Sequence, residues 1–77
     1  MTKVYFHCSN ADEVLVDRRG AIVGDLADAP GLAVNVVRSL ARARSREDWR
    51  GWILRASNDF GDELFVVPFA FVLGKPH

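Results

Sequence analysis

The sequence predicts a small α+β domain: a four-stranded antiparallel sheet with one helix packed on one face, in the order β-β-α-β-β. Three observations predict it. Two stretches of β-forming residues precede a single helical pattern, and two follow it. Turn-forming clusters separate the members of each pair, "NAD" at 10–12 and "NDFGD" at 58–62. The chain has 77 residues, enough for one core and one domain, with 70–77 as a tail.

The first strand is "KVYFHCS". Val4, Phe6 and Cys8 point one way, and Lys3, Tyr5 and His7 the other. "EVLVD" at 13–17 forms the second strand, with Val14 and Val16 assigned to the same face as Phe6. "RRG" turns the chain, and "AIVG" adds a short extended piece.

The helix follows. Leu26, Ala29, Ala33, Val36, Val37, Leu40 and Ala41 recur at helical spacing, with Asn35, Arg38, Ser39 and Arg42 opposite. Asp28 as the capping residue places Pro30 in the first turn, where its missing N–H costs nothing. The expected pattern is a loose turn at 25–28 and a regular helix over about 29–45.

After "REDWRG" the alternation returns in "WILRAS", with Trp52, Leu54 and Ala56 on one face. Gly61 is free to take positive φ in the next turn. "ELFVV" is the last strand, with Phe65 and Val67 inward and Leu64 and Val66 outward, and Pro68 ends the pairing. One face of the sheet thus collects Val4, Phe6, Cys8, Val14, Val16, Trp52, Leu54, Ala56, Phe65 and Val67 for the helix to cover. The other holds Tyr5, His7, Leu15, Ile53, Arg55, Leu64 and Val66, with no second helix to cover it.

Composition excludes several classes. Ten basic residues balance ten acidic ones, so no global charge draws the chain to phosphate or anionic lipid. The single cysteine, Cys8, permits neither an internal disulfide nor a cysteine-rich zinc site. No signal-like segment opens the chain, and the longest apolar run, Leu64–Leu73, is half the length of a membrane helix and contains Pro68. The expectation is a cytoplasmic, soluble protein without a membrane partner, cofactor or metal.

A set of short motifs runs along the chain: Tyr5, Phe6 and His7 in the first strand; Asp17, Gly20, Asp25 and Leu26 before the helix; and Gly61, Val67, Pro68 and Phe69 at the close. Together they resemble a small bacterial family filed as domain of unknown function 6894. The resemblance covers nearly the whole chain and implies the fold and a bacterial source, with no activity or catalytic residues to carry over. Pro30 and Gly31 depart from the family's clean helix start. A looser likeness, in element order alone, is to HicB-type antitoxin domains.

Three uses of the surface follow. The first is a non-enzymatic interaction or homodimerisation module, with Tyr5, His7, Leu64, Val66, Phe69 and Phe71 as contacts. The aromatic tail is assigned in part to a second subunit, with packing over the helix edge as the alternative. The second is a nucleic-acid-binding or antitoxin-like accessory using Arg38, Arg42 and Arg46 as an i, i+4, i+8 stripe, with Trp49 as the stacking residue. Charge segregation supports a patch, since residues 32–57 carry six basic and two acidic side chains. Helix-dipole and solvation roles explain those arginines more simply, so nucleic acid is not the expected partner. The third is a small-molecule or enzymatic site around His7, which needs a concave pocket. Against an enzyme, no second layer is available to exclude water.

The remaining polar residues read as structural. Cys8 is a small core residue, and His7 makes a structural hydrogen bond or an interface contact. His77 is a chain end. Asp12, Glu13, Asp59, Asp62 and Glu63 serve the two hairpin turns.

Overall fold

The computed structural model describes residues 2–74, so the expectation for His77 lies outside the described residues. The chain runs β1 (Thr2–Ser9), β2 (Val14–Leu15), β3 (Ala21–Val23), α1 (Ala29–Ala43), β4 (Ile53–Ser57), β5 (Glu63–Pro68) and a short α2 (Phe69–Leu73). The α+β class and the single main helix are as predicted. The sheet is entirely antiparallel, in the order β2-β1-β4-β5, and β3 also pairs with β1.

The central strand is β1, and its apolar alternation decides the core. Val4, Phe6 and Cys8 are buried, as are Leu54 and Ala56 of β4 and Trp52 just before it. Helix α1 lies on this face through Ala29, Ala33 and Val37, a seam four residues apart whose small side chains let the helix approach closely. The helix begins where the sequence places it, with Pro30 in its first turn, although the Asp28 side chain makes no capping bond. Asp25 caps instead, accepting from Ala27 N–H at 3.0 Å and opening a 3-10 turn over Leu26–Asp28.

Helix α1 stops two residues short of the expected end. Arg44 leaves helical geometry at φ −125°, ψ 60°, and its carbonyl accepts from Trp49 Nε1 at 3.2 Å. An indole thus takes a carbonyl that the next helical turn would have used.

Two face assignments are corrected. In β2 the pairs are Cys8 with Leu15 and Ser9 with Val14. Paired residues point to the same side, so Leu15 joins Cys8 against the core while Val14 and Val16 are exposed. The register follows from a tight turn in which Asn10 N–H donates to the Glu13 carbonyl and Asn10 Oδ1 accepts from Asp12 and Glu13. In β5, Phe65 pairs with Ala56 but Glu63 pairs with Ser57, leaving Leu64 as the extra residue of a bulge. Leu64 therefore packs against the core cluster instead of facing outward.

The second hairpin behaves as its sequence indicates. Gly61 takes φ +82°, and Asn58 Oδ1 accepts from Phe60 and Asp62. In both turns the acceptor is an asparagine, so the neighbouring carboxylates contribute less than expected. Pairing ends at Pro68, which flanks the free edge of the sheet along with the Leu64 bulge, and both features blunt that edge.

Residues 70–73 of the expected tail belong to α2, and 75–77 lie outside the described residues. Phe69 N–H donates to the Trp52 carbonyl at 3.0 Å, and α2 folds back so that Phe69 is fully buried. No helix among the described residues is long and apolar enough to cross a membrane.

Candidate functional site

The functional candidates sort into four regions. The first is a polar hub at the edge of β1. Between the stretches paired with β3 and with β2, the edge of β1 lacks a neighbouring strand at Phe6. Asp17 fills that gap. Its Oδ2 accepts from Phe6 N–H at 3.1 Å, and its Oδ1 accepts from Arg19 and Gly20 N–H, both at 3.0 Å. Its own N–H donates to His7 Nδ1 at 3.0 Å, which fixes the imidazole with its proton on Nε2. Burial pushes the Asp17 carboxyl up, but the N–H donors of Gly20, Phe6 and Arg19 hold it below the usual carboxylate range.

Gly20 closes this hub at φ +71°. A Cβ there would lie 3.0 Å from both Lys3 Cε and Tyr5 Cε2. Gly20→Ala therefore combines a left-handed backbone with a clash, and we expect it to cost about 1–2 kcal/mol in urea unfolding. An unchanged midpoint would show that the loop relaxes freely.

Cys8 lies in the core, as the sequence indicates, and burial followed by the Asp17 charge pushes its thiol up to about 11. Such a thiol is a packing group rather than a nucleophile. No three His, Cys, Asp or Glu side chains among the described residues come together as metal ligands.

The second region is the outer face of the sheet. Tyr5 and His7 stack with centroids 6.2 Å apart and planes 3° from parallel. Lys3 Nζ sits 5.5 Å from the Tyr5 ring centre. His7 pairs with Arg55, and Arg55 with Val66, so these side chains form one row across three strands. Arg55 also meets Glu63 at 3.3 Å. Ile22 of β3 and Val14 of β2 extend the face and are 67% and 61% exposed. Among the described residues no helix lies on this side: α1 and α2 both pack against the core face. Of the six predicted contacts, Tyr5, His7 and Val66 belong to this face. Phe71 is 83% exposed on α2, whereas Leu64 and Phe69 pack inward.

The third region is an aromatic cluster that local periodicity does not reveal. Phe69 stacks on Trp49 at 5.2 Å, and Trp49 meets Trp52 edge-on at 4.9 Å. The Arg44 guanidinium lies 5.6 Å from the Trp49 ring centre and 6.0 Å from that of Trp52. Glu13 and Glu47 flank that guanidinium at 3.7 and 3.6 Å. Trp49 is buried here, so it is not available to stack on a base, and the expectation that it does so is withdrawn. Trp52 Nε1 has no hydrogen-bond acceptor among the described residues.

The arginines form the fourth. Arg38 and Arg42 are exposed on α1, but Arg46 lies beyond the helix end, which breaks the three-residue stripe. Arg50 is bound to Asp48 through two hydrogen bonds of 2.9 and 3.0 Å, which hold that carboxyl down at about 2. Arg44, Arg50 and Arg55 are thus in ion pairs, and Arg38, Arg42 and Arg46 are not, among the described residues.

No curated protein and no solved structure gives a match to this chain. One family model does match, over residues 3–70, and it takes in the β1 motif, the Asp17 hub, the helix and the closing Val67-Pro68-Phe69. The chain therefore belongs to the family described as domain of unknown function DUF6894.

Proposed function

We propose that this protein is a non-enzymatic interaction module that pairs with a second copy of itself through the outer face of its sheet. The observation that carries the reading is that face: Tyr5, His7, Arg55 and Val66, extended by Ile22 and Val14, with no helix over it among the described residues. A domain of this size hides only about 60–65% of its unfolded surface, so covering a second face adds proportionately more stability than in a large protein. The face also carries both signs of charge, Lys3 and Arg55 with Glu63, as a self-complementary twofold contact requires.

Scattering-coupled gel filtration tests this directly. Wild-type protein is expected to elute as a dimer, and Val66→Lys, which places a charge at the centre of the row, should raise the dissociation constant about tenfold or more. Leu26→Lys, exposed but off this face, should leave association unchanged. A wild-type monomer at about 0.2 mM would sink the proposal.

The nucleic-acid reading finds less support. Its stacking residue is buried, and Arg46 is displaced from the helical row.

A further inference from the structure

A groove runs along the side of α1 that faces the open edge of β1. It exists because β2 and β3 pair with opposite ends of β1 and the chain between them loops outward around Asp17. Phe6 and Ala21 form its floor, and Leu32, Val36 and Leu40 its helical wall. Its volume is ≈ 540 Å³, and it continues into a second hollow of ≈ 310 Å³ that shares Phe6, Val36 and Leu40 and reaches Leu15. The helical wall from Leu32 to Ala43 spans about 16 Å, the length of roughly three helical turns.

Arg18 and Arg19 lie in the chain between the lining residues Asp17 and Gly20, Arg38 immediately precedes the lining residue Ser39, and Arg42 immediately precedes the lining residue Ala43; all four are exposed. None of these four is in an ion pair among the described residues. The Asp17 carboxylate is already committed to three backbone N–H groups. An apolar floor bordered in the chain by exposed, unpaired cations fits one kind of occupant: apolar side chains at helical spacing, flanked by carboxylates. Nucleic acid fits poorly, because the exposed wall is aliphatic and gives bases little to stack on.

We propose that this groove docks an acidic amphipathic helix of a partner protein, with apolar residues against Phe6, Val36 and Leu40 and carboxylates against Arg18, Arg19 and Arg42. The site is separate from the outer sheet face and stands or falls independently of the homodimer.

The test is an amide-resolved NMR titration of the full chain with three probes. One is a synthetic helical peptide of about four turns with a leucine stripe flanked by glutamates; the second has lysine for every glutamate; the third is a short oligothymidylate. The glutamate peptide is expected to shift the amides of Phe6, Gly20, Leu32 and Ser39. The double variant Arg19→Glu, Arg42→Glu should weaken that binding about tenfold or more, and Arg55→Glu on the sheet face should leave it unchanged. Both changes are at exposed positions, so an unaltered amide spectrum in the free state verifies the fold. No shifts at about 1 mM peptide, equal shifts with the lysine peptide, or shifts confined to the sheet face would overturn the proposal. Oligothymidylate shifting the groove amides would also overturn it and give the arginines to nucleic acid.

Discussion

Asp17→Ala is expected to destabilise the fold by about 2–4 kcal/mol, measured by urea unfolding. The Phe6 N–H dominates that figure. It lies on the central strand where neither β2 nor β3 reaches, and the Asp17 carboxylate is its partner. Removing the acceptor leaves a half-buried donor unpaired, whereas water can serve the more exposed Arg19 N–H. The loss would be a large share of the stability of a domain this size, which is about 4–12 kcal/mol. Asp59→Ala provides the comparison, since that exposed residue makes no hydrogen bond or ion pair among the described residues, and its midpoint should not move. An unmoved midpoint for Asp17→Ala as well would mean that water replaces the carboxylate.

The same residue sets an acid limb. Its carboxyl is held below its unfolded value, so the native state binds fewer protons there than the unfolded chain does. The resulting stabilisation is fully present above the unfolded value, near pH 4, and is lost as pH falls through the native one. Wild-type stability should therefore decline below about pH 4, and the decline should be shallower in Asp17→Ala.

The second large effect is expected at Phe69. Phe69→Ala should cost about 3–5 kcal/mol, because a fully buried ring that packs against both Trp49 and Trp52 is removed. It should also loosen α2, whose buried anchor it is, and shift tryptophan emission to the red as water reaches Trp49. Phe60→Ala, at the exposed tip of the second hairpin, should stay within about 0.5 kcal/mol of wild type. A cost below about 1 kcal/mol at Phe69 would show that α2 contributes little to the core.

The docking of α2 explains why the closing aromatic run misleads when read locally. Phe69 and Phe71 look equivalent in "PFAFVL", and both read as candidates for a partner surface. In the fold one is fully buried and the other is 83% exposed. The difference arises from Pro68, which ends the strand and serves as the N-cap of α2, and from two tryptophans about twenty residues away in sequence. Trp49 is the same case in reverse. Beside five arginines it reads as a stacking residue, yet Arg44 turns inward over it and Phe69 covers its face.

The sequence by itself determined the repeating parts of this protein. Alternation placed Val4, Phe6, Cys8, Leu54 and Ala56 in the core, helical spacing found α1, and Gly61 marked its turn. Each of these signals is local, because side-chain direction follows backbone period over a few residues. The tertiary structure alone decided the phase of β2, the bulge at Leu64, the role of Asp17 and the burial of Trp49 and Phe69. These depend on which strand pairs with which, and in what register. A one-residue change in pairing turns a side chain from one face to the other without altering the local pattern.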